Sequence, residues 1–246
     1  MRRLSKFIAL SALVALSGLA GAISWADKTV PDPIDPGKTC AVREPMSWGG
    51  YIYQFPSKYD MVFWPFTDEN GLWVCADSGY VSFMPGFKTL SDAERSAIAA
   101  FLKGRDKPTD ARARLVQLEA IEALRTRDPE ARNELLRTLA RRYQDLGDVA
   151  RANEYRKTAL AQIVARLDSP LPDFKHLEYL YLAANYTRLF GDTAASDAWL
   201  AKLATAIAAV KDPEARDAAD YLKKLSADTV RIQPGGVLDP APLPRQ

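Results

Sequence analysis

The chain has 246 residues, 48% of them apolar, with 33 basic and 31 acidic side chains and a formal net charge of +2. A near-neutral chain without a Lys/Arg run lacks the electrostatic footprint of a nucleic-acid binder. The length and apolar content suffice for one ordinary domain, or for a small module joined to a larger one.

The opening segment, MRRLSKFIALSALVALSGLAGAISWADK, places Arg2, Arg3 and Lys6 ahead of an apolar run from Phe7 to Ile23, the layout of a secretory signal peptide. Small residues Ser24 and Ala26 predict a cut before Asp27, removing residues 1–26; Ala20-Gly21-Ala22 offers a second site. The alternative, an uncleaved anchor, needs about 18 to 20 strongly apolar residues, and this run is diluted by Ala, Ser and Gly. Cleavage removes three basic side chains, taking the charge from +2 to −1, and leaves no membrane span. A periplasmic or secreted protein is expected.

Residues 27–38, DKTVPDPIDPGK, hold prolines at 31, 33 and 36, which deny a helix and favour extended chain, and are read as a Pro-rich linker on the surface. Residues 39–88 are rich in aromatics and glycine. GYIYQF, DMVFWPF and LWVC look like short strands, and Asp68-Glu69-Asn70-Gly71 carries an Asn-Gly turn signal, which together predict a small β module. Its aromatics, Trp48, Trp64 and Trp73 among them, either form the module's core or line a pocket for a small ligand or glycan.

From Leu90 onward Ala, Leu, Arg and Glu dominate, the composition of packed helices. Ser91-Asp92-Ala93-Glu94 has capping-box spacing. Asp128-Pro129-Glu130 and Asp212-Pro213-Glu214 each combine an Asp N-cap, a Pro at the first helical position and an acid in the first turn. Leu139 to Leu160 reads as a tetratricopeptide-like hairpin, with Gly147-Asp148 at its turn and small residues Ala152 and Ala159 on its second helix. Leu182 to Leu203 repeats the pattern around Gly191-Asp192, at a spacing longer than the usual repeat of about 34 residues. An ordinary antiparallel helical bundle carries the same signals. The fold class is α+β, mostly α, with the helical domain over residues 89–227. Residues 228–246 are Pro/Gly-rich and read as a flexible tail.

Two cysteines, Cys40 and Cys75, remain, and each could be a nucleophile, a metal ligand or half of a disulfide. A nucleophilic thiolate needs a neighbouring His or cation, and no local signature ties the single histidine, His176, to Cys75. No Walker loop, HExxH, GxSxG or dinucleotide fingerprint is present, so no catalytic residue and no cofactor is assigned.

The segments Cys40-Ala41-Val42-Arg43, Cys75-Ala76-Asp77-Ser78-Gly79-Tyr80 and FKTLSDAE resemble an uncharacterised bacterial family, domain of unknown function 2225, in which paired CxxC knuckles lead into tetratricopeptide-like helices. Here Arg43 and Ser78 stand where that family has the second cysteine of each knuckle. A four-ligand zinc site is therefore not expected, and a two-cysteine site completed by a carboxylate has no sequence feature in its favour. The resemblance implies that the two surviving cysteines lie close in space, and in an oxidising compartment they would join as a Cys40–Cys75 disulfide. The functional expectation is a non-catalytic scaffold binding an envelope protein or peptide through its helices. Tyr143, Asn185 and Tyr186 are candidates for facing its groove, with burial in helix interfaces as the competing reading of the tyrosines. Small-ligand or glycan binding by the aromatic module is the alternative.

Overall fold

The computed structural model describes residues 24–46, 55–63 and 71–240. Strand β1 (Trp25–Pro31) runs antiparallel to β2 (Thr39–Pro45), with Val30 opposite Cys40. Strand β3 (Leu72–Val74) pairs with β4 (Val81–Phe83), with Trp73 opposite Ser82. Seven helices follow: α1 (Asp92–Leu102), α2 (Ala111–Glu122), α3 (Pro129–Asp145), α4 (Val149–Leu167), α5 (Asp173–Leu189), α6 (Thr193–Ala209) and α7 (Pro213–Ser226). The molecule is α+β and mostly α.

The helix boundaries follow from capping chemistry. Ser91 and Glu94 form the reciprocal capping box of α1, and Asp128 and Asp212 cap α3 and α7 with Pro at the first helical position. The two hairpin turns are built alike. Gly147 (φ +78°) and Gly191 (φ +92°) take the left-handed conformation that closes α3 and α5. The amide of Asp148 then donates to the Tyr143 carbonyl (2.8 Å) and that of Asp192 to Thr187 (3.1 Å), and both aspartates cap the next helix. α3 packs against α4, and α5 against α4, α6 and α7.

Among the described residues there are two apolar cores. The first gathers Val30, Trp73, Tyr80 and Val81 of the sheets with Ile98, Leu118 and Ile121 of α1 and α2, and ends on Leu139 and Tyr143 of α3. The β module thus shares its core with four helices, Ala152 of α4 included, rather than standing alone. The second core is centred on α5, of which the stretch Leu177–Leu189 is buried throughout.

Three expectations are corrected. Residues 27–38 are not a free linker: Asp27–Pro31 are half of a sheet, and Val30, Asp32 and Pro33 are buried. The prolines that exclude a helix allow an edge strand, and Asp32 turns the chain by accepting the Ile34 amide (2.8 Å). Asp60–Phe63 of DMVFWPF form bends rather than a strand, because they lie across helices instead of beside another strand. The tail is not loose before Pro240: a 3-10 turn at Thr229–Arg231 leads to Ile232 and Leu238, both buried in the second core. The remaining tail residues, 241–246, and most of the expected signal segment, residues 1–23, lie outside the described residues.

Candidate partner-binding site

Cys40 and Cys75 form a disulfide between the two sheets, with Cα atoms 4.8 Å apart, and both are buried. Joined sulfurs are neither nucleophile nor thiolate ligand. Asp32 is the carboxylate beside them, and its Oδ1 serves the turn, accepting from the amides of Ile34 and Asp35. Trp73 is 4% exposed, donates its ring N–H to the Arg43 carbonyl (2.7 Å) and packs edge-on against Phe87. It is a core residue, which removes it from any ligand pocket. Trp48 and Trp64 lie outside the described residues.

The three residues expected to face a groove are all buried. Tyr143 stacks on Tyr155 within the α3–α4 interface, ring centroids 5.9 Å apart, so it presents nothing to a partner. Asn185 and Tyr186 do face bound polypeptide, but it is this chain's own. The Tyr186 hydroxyl donates to Asp60 Oδ1 (2.8 Å), and Asn185 Oδ1 accepts from the Thr229 hydroxyl (2.7 Å).

Residues 55–63 cross the helical stack here. Asp60 is fully buried and receives two bonds from Arg156, Nε to Oδ1 (2.9 Å) and Nη2 to Oδ2 (2.7 Å). Arg137 Nη1 donates to the Asp60 carbonyl (2.8 Å) and to Glu178 Oε1 (3.0 Å), while its Nε reaches Asn133 Oδ1 (3.2 Å). A buried ion pair survives only when its remaining polar atoms are also bonded, and this network provides that. Burial works against the charge of Arg156, but Asp60 outweighs it and the guanidinium is held more firmly protonated than usual. Burial likewise raises Glu178, but Arg137 and Lys175 overcome this and hold its carboxyl below the usual range. Tyr186, desolvated and beside Asp60, stays a neutral donor.

The same side of the stack grips other backbone atoms. The Tyr221 hydroxyl of α7 donates to the Val62 carbonyl (3.1 Å). Gln144 Oε1 of α3 accepts the Leu238 amide (2.8 Å), and the α5 carbonyl of Leu189 accepts the Gly235 amide (2.7 Å). Helices α3, α5 and α7 therefore hold two segments of turns and bends by backbone contacts.

At the α3 and α5 N-terminal end the seam opens into a groove of about 520 Å³, lined by Asn133, Gln162, Tyr179, Arg132 and Arg166 among others. Asn133 joins the two parts, donating to the Ala159 carbonyl (3.0 Å) and to Gln162 (3.2 Å) while accepting from Arg137. Compared with known protein families, curated proteins and solved structures, the chain matches none.

Asp60, Arg137, Arg156 and Glu178 escaped the sequence reading. One signal was available: Arg156 falls on the apolar stripe Ala152, Ala159, Ile163, where a charge requires a buried partner.

Proposed function

We propose that this is an exported envelope protein that acts as a non-catalytic, polypeptide-binding scaffold through its helical stack. One observation carries the reading: side chains of α3 and α7 hold the backbone of non-helical, non-strand segments, Arg137 at Asp60, Tyr221 at Val62 and Gln144 at Leu238. Such contacts recognise chain rather than a small molecule, and stacked helical hairpins are suited to display them. The signal-like N-terminus and the disulfide support an oxidising compartment.

The test is site-specific photocrosslinking in the cell envelope. A photoreactive residue is placed in turn at Gln162, Thr158, Lys202 and Lys224 on the helices, and at Lys28 and Lys38 on the sheets. The expected result is a discrete polypeptide adduct from one or more helical positions and none from the sheets. Adducts from the sheets alone, or from no position, would overturn the scaffold reading.

A further inference from the structure

The groove at the open end of the polar seam has the chemistry to take an acidic group. Three guanidiniums, Arg127, Arg132 and Arg166, line it against one carboxylate, Glu130. Arg127 is committed to Glu122, to which it makes two bonds of 2.6 and 2.8 Å. Arg132 is exposed and makes no ion pair among the described residues, and Arg166, whose Nη1 donates to the Pro170 carbonyl (3.2 Å), has its Nη2 3.8 Å from Glu130, a loose contact. The groove thus keeps positive charge to spare.

A second, independent observation comes from Tyr179. Its side chain is 2% exposed, it lines the groove, and its hydroxyl has no hydrogen-bond partner among the described residues. Arg137 and Glu178 act on it more strongly than Glu130 and Arg166, so it stands between the buried network and the groove. Its ring is buried while its hydroxyl, which is not among the fully enclosed polar atoms, meets the groove and can donate there to a ligand in place of solvent.

The chain also displays how such a stack holds an acid. Asp60 of the crossover is bound by Arg156 and Tyr186, an arginine from α4 and a tyrosine from α5. The groove offers the same pair of residue types from the same two helices, Arg166 of α4 and Tyr179 of α5. Tyr179 and Tyr186 are seven residues apart, on one face of α5. Asn133 and Arg137, one turn apart on α3, connect the occupied site to the open one.

We propose that this groove binds an aspartate or glutamate side chain of a partner polypeptide, with Arg132 and Arg166 as the charged donors and Tyr179 as the hydroxyl donor. The inference rests on the scaffold reading and names the partner's chemistry. The carboxylate meets Arg166 and Tyr179 as Asp60 meets Arg156 and Tyr186. Apolar side chains flanking it lie on the aliphatic stems and on Pro129 and Ala165, which also line the groove.

The probe is a fluorescein-labelled decapeptide of alternating Asp and Leu, titrated by anisotropy against the full chain without its first 26 residues. A double charge reversal, Arg132→Glu with Arg166→Glu, is compared with an equal-charge control on α7 and the preceding loop, Lys211→Glu with Arg216→Glu. Circular dichroism confirms that both variants fold, and Tyr179→Phe, which removes only the hydroxyl, serves as a conservative third variant. The expected result is saturable binding by the unaltered chain, weakened about tenfold or more by the groove reversal, weakened less by Tyr179→Phe and unchanged by the control. Absence of binding, equal loss in the control, or competition by free succinate as effective as by unlabelled peptide would overturn the proposal. If helical-position crosslinks persist in the Arg132→Glu, Arg166→Glu chain, the groove assignment fails while the scaffold reading stands.

Discussion

Around Trp73 and Tyr80 the chain forms two sheets of two strands each, shorter than an independently stable sheet requires, and a covalent bond between Cys40 and Cys75 joins them. Around Tyr186 the crossover 55–63 is fixed by a two-point ion pair and backbone hydrogen bonds, without any covalent link. The contrast separates two ways of anchoring a segment that has little regular structure of its own. A disulfide restricts the unfolded chain, whereas a buried charge pair penalises any state in which one partner is missing.

The largest effect should therefore come from the crossover. Asp60→Ala leaves the Arg156 guanidinium buried without its counter-charge, and should cost about 3 to 5 kcal/mol in urea unfolding. A loss below about 1 kcal/mol would make the ion pair incidental. The double variant Cys40→Ser, Cys75→Ser opens a loop of sequence separation 35 and should cost about 3 to 4 kcal/mol. Hydrogen exchange should place the loss in β1 and β2, with α5 amides still protected. Leu238→Ala removes a fully buried side chain from the returning tail and should cost about 2 to 3 kcal/mol, since a terminal segment can partly close the cavity.

The smallest effect is a change of slope with acidity, and it should touch both regions. Glu94 is lowered by hydrogen bonds from the Ser91 and Thr126 backbone, and Glu178, against its burial, by Arg137. A carboxyl lower in the folded than in the unfolded state stabilises above its unfolded value, and that contribution is lost as pH falls through the folded one. Thermal midpoints should fall as pH drops below the ordinary carboxyl value of 4.5. Glu94→Gln and Glu178→Gln should each flatten that fall. An unchanged slope in both would contradict the assigned pairs.

The sequence is informative where the determinants are local. The capping box at Ser91, the Asp-Pro-Glu helix starts and the two Gly-Asp turns each lie within a few residues, and all appear at the expected positions. The strand at Leu72–Val74 is equally local. What was misread depends on distant partners. Asp60 is 96 residues from Arg156 and 126 from Tyr186, so DMVF looks like a strand until the helices it crosses are in place. The tail looks disordered by its Pro and Gly content, yet Ile232 and Leu238 find a core built by α4, α5, α6 and α7. Asn185 and Tyr186 are expected to face a groove and do contact other polypeptide, but nothing local reveals that the chain is their own.

Hydrogen exchange at single-amide resolution on the unaltered chain is the most direct test that the stack holds these two irregular segments. Met61, Gly235 and Leu238, whose amides bond to Ser57, Leu189 and Gln144, are expected to exchange as slowly as the amides of α5. Exchange at the rate of an exposed loop at these three positions, with α5 protected, would contradict it.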